Sequence, residues 1–359
     1  MRALQSFLHL LPPEIAHTLA VRALYFGWVR PRRPDKKSLG VAIDLRQTIC
    51  GLDFPNPLGM AAGFDKDACV PNALARLGFG FVEIGSVTPR PQAGNPKPRL
   101  FRLREDRAII NRMGFNNDGA MLVRERLWRR FENPAVKPDW PLGVNLGANK
   151  DSEDRIGDYV LGLETFWDCA DYFTINVSSP NTPGLRALQE VEPLRALMGR
   201  LNDASARQRQ SGTTRPIFLK LSPDMDEELV TLLAQTLPNL GVDGVILTNT
   251  TLARPDDLRA HQLYESGGLS GRPLKAQAVR VLRIFRAAAP TDFPIISVGG
   301  IESAQDVWER LQAGANLVQL YTAFIYGGAD LPAQIVADLA RIVRNAGFTS
   351  LQAALAARK

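Results

Sequence analysis

Residues 142–150 read Leu-Gly-Val-Asn-Leu-Gly-Ala-Asn-Lys, and residues 172–181 read Tyr-Phe-Thr-Ile-Asn-Val-Ser-Ser-Pro-Asn. Each begins as a short apolar run of strand length and ends in amides, hydroxyls or a lysine. Six further runs have the same apolar character: Pro57–Ala61, Phe81–Val87, Ile217–Leu221, Gly244–Thr248, Ile295–Val298 and Leu317–Tyr321. Between them, Pro193–Leu201, Glu227–Leu237, Lys275–Ala288 and Ala304–Ala313 show helical spacing. Eight buried strands alternating with helices predict an α/β fold, a (β/α)8 TIM barrel. An open doubly wound sheet would call for Gly-x-Gly-x-x-Gly after the first strand, and none follows.

Polar residues gather where these strands end. The first run leads into Ala62-Gly63-Phe64-Asp65-Lys66, and the second carries Ser86. Asn145, Asn176, Lys220 and Thr248-Asn249-Thr250 mark the next four, Gly299-Gly300 the seventh and Tyr321-Thr322 the eighth. In a barrel all eight C-terminal ends open on one face, where such enzymes keep their chemistry. Asn145, Asn176, Asn181 and Asn249 offer paired amide donors and acceptors, suited to a planar heterocycle with imide-like edges. Lys66 and Lys220 add positive charge with no matching carboxylate close by along the chain. The ends of strands seven and eight are where barrels commonly hold a phosphate. Ser179 is the one candidate for proton transfer. The residues alone therefore imply a phosphorylated cofactor and a planar polar substrate, and name neither. Lys220 inside a strand also fits a Schiff-base nucleophile, so a phosphate-binding lyase or aldolase stays open at this point.

The composition, 45% apolar and 22% charged over 359 residues, is that of an ordered, core-forming chain. Cys50, Cys69 and Cys169 are scattered and read as reduced thiols, in neither a disulfide nor a metal spacing. Three histidines argue against a zinc site, and no metal is expected. No apolar run reaches the roughly 18 residues of a spanning helix. Nor does the start have the layout of a secretory signal. The net charge of +6 is concentrated in residues 1–37, which carry seven basic residues against two acidic. A nucleic-acid binder would spread basic residues over its folded face, so none is expected as a partner. Within this segment Leu4, Phe7, Leu8 and Leu11 recur at helical spacing until Pro12-Pro13. A second helical stretch begins at Glu14, with Ile15, Leu19, Ala23 and Phe26 on one side, and Arg30–Lys37 follows as a basic run. Such helices either lie in a bilayer interface or pack on the main domain. Arg124, Arg126, Arg129 and Arg130 read as a solvated helix face.

Five motifs carry a resemblance across roughly residues 8–345. They are Ala62-Gly63-Phe64-Asp65-Lys66-Asp67, Gly85–Gln92, Asn111-Arg112-Met113-Gly114-Phe115-Asn116-Asn117, Asn176–Leu185 with its Ser178-Ser179-Pro180-Asn181, and Gly267-Gly268-Leu269-Ser270-Gly271. Together they resemble the dihydroorotate dehydrogenase family. That resemblance implies FMN held by Ala62, Gly63, Lys66, Ser86, Asn145, Asn176, Lys220 and Thr248, with its phosphate at Gly271, Gly300, Tyr321 and Thr322. It implies dihydroorotate gripped by Lys66, Asn111, Arg112, Met113, Gly114, Phe115, Asn176, Asn181, Asn249 and Thr250, with Ser179 as the base. Soluble relatives carry Cys at the base position and lack the N-terminal extension, so Ser179 and residues 1–37 resemble the quinone-dependent class. His17, Arg102 and Tyr321 would then line a quinone route. The expected organisation is residues 1–37 as an amphipathic membrane and quinone-tunnel segment and 38–359 as the catalytic barrel. The expected activity is oxidation of (S)-dihydroorotate to orotate in de novo pyrimidine biosynthesis. The enzyme would sit on the cytoplasmic face of the cell membrane, with no obligate protein partner.

Overall fold

The computed structural model describes residues 10–29, 43–131, 138–209 and 212–358. Eight strands close into a barrel: Leu58–Met60, Phe81–Val87, Leu142–Leu146, Tyr172–Asn176, Ile217–Leu221, Gly244–Leu247, Ile295–Val298 and Leu317–Leu320. Each pairs in parallel with the next, and the last pairs with the first. The expected (β/α)8 barrel is therefore the fold, with some strand ends trimmed by one residue. Helix Lys275–Ala288 has the bounds its spacing predicts, while Pro193–Leu201 proves to be the middle of Val191–Arg209.

Side chains two apart on a strand share a face, so polarity can change along the barrel axis. Phe81, Tyr172, Phe218, Ile246, Ile296 and Leu317 form an apolar floor with Phe54. One step up on the same faces come Glu83, Thr174, Lys220 and Gln319, all buried. Asn176 and Tyr321 follow at the mouth. The floor has a simple packing rule. Three of its aromatic residues pair in register with a glycine on the adjacent strand: Phe81 with Gly59, Tyr172 with Gly143, and Phe218 with Gly244. A Cβ on Gly143 would lie 2.1 Å from Tyr172 Cζ, and one on Gly59 2.3 Å from Phe81 Cζ. The glycines thus leave the volume that the rings fill, as close packing of an interior requires.

Two small sheets were not legible in the sequence. A hairpin of Gln47–Ile49 and Leu52–Phe54 plugs the floor, sending Ile49, Leu52 and Phe54 against it. Beside the mouth, Leu100–Leu103, Ala108–Asn111 and Gly268–Gly271 form an antiparallel sheet. Its strands are four residues long, and Gly-Leu-Ser-Gly has little strand propensity of its own. That strand exists because a partner 157 residues earlier in the chain lies against it.

At the N-terminus a helix spans Pro13–Tyr25, with proline in its first turn, where the missing N–H costs nothing. Glu14 ties it to the barrel through Arg99 at 2.7 Å and Lys97 at 3.4 Å. Ala16 and Leu24 are buried, while Ile15, Leu19 and Phe26 on the expected apolar side are exposed, as is Trp28 at 76%. The helix thus packs on the barrel by one side and presents an apolar side outward. The first tail helix lies outside the described residues except at Leu10 and Leu11, and the basic run from Arg30 lies wholly outside them. Among the described residues, no helix is long and apolar enough to cross a membrane.

The Gly143–Tyr172 fit is open to measurement. Gly143→Ala is expected to lower the stability by about 1–3 kcal/mol, the usual cost of overpacking, in denaturant unfolding. An unchanged midpoint would show that the ring moves aside without cost.

Candidate active site

At the C-terminal end of the barrel the structure opens two adjoining chambers. Ala62, Lys220, Asn249, Thr250, Ser270 and Tyr321 line both, so the chambers form one continuous cleft. The first chamber brings together Gly63, Lys66, Ser86, Asn111, Met113, Gly114, Phe115, Asn176, Ser179 and Asn181. His17, from the N-terminal helix, also reaches it. Thr248, Gly271, Gly300 and Thr322 lie in the second.

Three expected site residues stand elsewhere. Asn145 is wholly buried and outside the cleft lining, where its Oδ1 accepts from Ser86 and Asn176, two residues of the first chamber. Arg112 does not line the cleft: its guanidinium bonds Glu265 at 2.7 Å and sits over the Phe101 ring. Its backbone carbonyl accepts from Asn95 Nδ2 at 3.0 Å. Arg102 donates to the Leu11 carbonyl and so fastens the tail, outside the cleft lining. Of the arginines expected on a solvated face, Arg126 instead bonds Asp118 and the Asp67 carbonyl.

The amides form a chain with a fixed direction. At its base lies Glu83, fully buried, accepting from Asn145 Nδ2 at 2.8 Å, Gln319 Nε2 at 2.8 Å, Thr174 Oγ1 at 3.1 Å and Tyr172 Oη at 3.3 Å. A carboxylate only accepts, so Asn145 must turn its NH₂ down and its Oδ1 up. That oxygen receives the Ser86 hydroxyl and Asn176 Nδ2 at 3.3 Å. Asn176 Oδ1 in turn accepts from Asn249 Nδ2 at 3.2 Å and Ser178 Oγ at 3.0 Å. Ser178 is thereby consumed by the network. Ser179, the next residue, faces the cleft, and its Oγ accepts from the Asn181 N–H at 3.3 Å.

Lys220 is buried and Lys66 half-buried, and loss of hydration lowers both pKa values. Lys66 falls to about 8, with Asp67 opposing the shift, and its Nζ donates to the Gly63 carbonyl at 2.7 Å. Lys220 is lowered too, with Glu83 opposing the change from 3.9 Å. His17 is held near 3 by burial and by the Lys66 charge, so it is neutral at physiological pH. Tyr321 is pushed up to about 12 by burial.

Sequence reading missed Glu83. A signal was present: an acid between Val82 and Ile84 in an apolar strand, in phase with Phe81. What it serves could not be read, because its four hydrogen-bond donors come from three other strands.

An eight-stranded barrel with an amide-rich mouth, one buried and one half-buried lysine and a glycine-lined second chamber is a cofactor-using barrel enzyme. Its donor set fits a flavin: amides for the ring's imide edge, a buried cation for its electron-rich side, and a chamber turned by Gly271, Gly299 and Gly300 at positive φ for a phosphate tail. A sequence model described as dihydroorotate dehydrogenase matches residues 44–343. The chain is 48% identical over 352 residues to dihydroorotate dehydrogenase (quinone) of Novosphingobium aromaticivorans, covering 98% of this chain and 97% of that one. It is 51% identical to the protein so named in Sinorhizobium fredii, covering 96% and 92%. The crystal structure of ligand-free DHODH from Eimeria tenella aligns with a TM-score of 0.89 at 38% identity, covering 97% of this chain and all of that one. This chain belongs to the dihydroorotate dehydrogenase family, and it is an oxidoreductase.

Removing the charge of Glu83 leaves Lys220 buried without its counter-ion. Glu83→Gln is expected to cost about 3–5 kcal/mol, as for one broken partner of a buried pair, measured by denaturant unfolding. A loss below about 1 kcal/mol would mean that the pair is no stronger than a surface contact.

Proposed function

We propose that this chain is an FMN-containing, membrane-associated enzyme that oxidises (S)-dihydroorotate to orotate in de novo pyrimidine biosynthesis and passes the electrons to a membrane quinone. What supports the reading is that Ser179, Lys66, Asn111, Asn176, Asn181, Asn249 and Thr250 meet in one cleft, in a chain about half identical to quinone-class relatives. Ala62, Gly63, Lys66, Ser86, Asn176, Lys220 and Thr248 would hold the flavin ring, with Asn145 acting from beneath through Ser86 and Asn176. Gly271, Gly300, Tyr321 and Thr322 would hold the phosphate. Held there, FMN would supply a hydride acceptor that a quinone can reoxidise.

The rest falls to the chain's own side chains. Lys66, an ammonium below about pH 8, faces the substrate carboxylate. The asparagines match the pyrimidine's alternating carbonyl and N–H edge. Met113, Gly114 and Phe115 close the wall beside it and exclude water. Ser179 Oγ takes the proton from C5. No histidine or carboxylate bonds that hydroxyl among the described residues, so its basicity depends on charge developing beside it or on a positioned water.

The lyase alternative is disfavoured by the relatives, which match this chain over nearly its whole length and are named dihydroorotate dehydrogenase (quinone).

Residues 1–37 serve as the amphipathic membrane and quinone segment, and 38–359 as the catalytic barrel. Exposed Ile15, Leu19, Phe26 and Trp28 support this reading, because an outward apolar side beside basic residues suits a lipid interface. His17 and Tyr321 line the cleft from the tail side, with Phe64 packed edge-on against both rings. Neutral His17 can donate one hydrogen bond to a quinone carbonyl. Arg102 holds the tail in place through Leu11. The enzyme would lie on the cytoplasmic face of the membrane and need neither nucleic acid nor an obligate protein partner.

The test is an anaerobic flavin spectrum before and after L-dihydroorotate. Bleaching reversed by a short-chain quinone, and not by fumarate or NAD, is expected. Ser179→Ala should retain its flavin and bleach about 10²–10⁴-fold more slowly. A flavin that stays oxidised in the wild type would sink the substrate assignment, and an unimpaired Ser179→Ala the base.

Deleting residues 1–37 should abolish quinone reduction and binding to anionic lipid vesicles while sparing the bleaching. If bleaching were lost as well, the segment would be a structural part of the barrel.

A further inference from the structure

The helix Ala304–Gln312 follows the seventh strand and the Gly299-Gly300 turn, and it carries a fully buried arginine, Arg310. Burial of a guanidinium ordinarily calls for a carboxylate partner. Arg310 makes no ion pair among the described residues. The two acids of its own helix, Asp306 and Glu309, both face Lys275, and Asp306 also accepts from Ser303 and the Glu302 N–H. Instead Arg310 donates to three neutral oxygens: Gly299 O at 2.6 Å, Ser297 Oγ at 2.9 Å and Lys275 O at 3.2 Å. Its Nε is left without an acceptor. Burial lowers its pKa to about 10, which still leaves it charged at neutral pH.

Those oxygens belong to the elements behind the second chamber. Gly299 and Gly300 line it, and Lys275 begins the helix against which Gly300 packs, its Cα only 2.6 Å from where a Gly300 Cβ would be. In a trans peptide the C=O and the following N–H point in opposite directions. Holding the Gly299 carbonyl back toward Arg310 therefore turns the Gly300 N–H forward, into the chamber. Among the described residues no protein group accepts that N–H.

We infer that Arg310 is a positioning residue for an anionic group in the second chamber: it aims the Gly300 amide at the anion and places behind the turn a positive charge that no ion pair among the described residues holds. It does not line the cleft, so it acts through Gly299. The inference rests on the FMN reading, in which the anion is the cofactor's phosphate, and it adds a residue to that site.

The experiment compares two ligands that differ only in that phosphate. Full-length protein, depleted of flavin by dialysis, is titrated with FMN and with riboflavin, and binding is followed by flavin fluorescence. In Arg310→Met the affinity for FMN is expected to fall about ten- to a hundred-fold, the worth of a charge-assisted bond, with riboflavin affinity unchanged. Arg310→Lys, which keeps the charge and can reach one carbonyl, should lose less and again for FMN alone. It also carries the test if the methionine variant does not fold. Equal losses for both flavins would make Arg310 merely structural, and no loss for either would remove it from the site. A wild-type protein that held riboflavin as tightly as FMN would overturn the phosphate reading itself, whatever the variants did.

Discussion

Glu83 and Lys220 face each other at 3.9 Å in the barrel's interior, one with no exposed surface and the other nearly so. Either charge alone would be costly at that depth, so each makes the other tolerable. Because an ionised carboxylate can only accept, Glu83 also fixes how every amide above it must turn. The direction passes through Asn145 to Asn176 and on to Asn249 and Ser178. The donors and acceptors that the cleft presents are thus set one layer below it, by a residue that touches no ligand. Lys220 is the other member of the pair, a buried lysine that lines both chambers of the cleft.

This polar layer depends on the apolar one beneath it. The aromatic–glycine pairs of the floor fill the barrel's narrow end, and the 47–54 hairpin covers it. Water is kept from the Glu83 layer on that side, and the low dielectric there gives the buried pair its strength. Within one strand of seven residues, Phe81 seals the floor, Glu83 orients the network and Ser86 joins the mouth. Fold and chemistry are therefore not separable along this strand.

The mouth is finished by pieces outside the eight-fold repeat. The sheet of residues 100–103, 108–111 and 268–271 supplies Asn111 and Ser270, and the N-terminal helix supplies His17. Both are fastened by arginines of one segment: Arg99 bonds Glu14, and Arg102 bonds the Leu11 carbonyl. A single short segment, residues 99–103, therefore couples one side of the cleft to the tail.

Local pattern in the sequence was enough for the eight strands, their alternation with helices, and the presence of amides, lysines and Ser179 at one end. Strand periodicity and strand-end composition are properties of neighbouring residues, and they survive in a linear reading. The family motifs added the assignment of those residues to a cofactor and a substrate. Only the tertiary structure decided that Arg112 turns away, that Asn145 works from beneath, and which side of the tail helix docks. It also gave Glu83 and Arg310 their surroundings. The physical reason is distance along the chain: Gln319 meets Glu83 across 236 residues, and Arg310 acquires its role only where the ends of two helices and a glycine turn converge. A charged residue in an apolar run announces that a partner must exist, and the closed barrel determines which one it is.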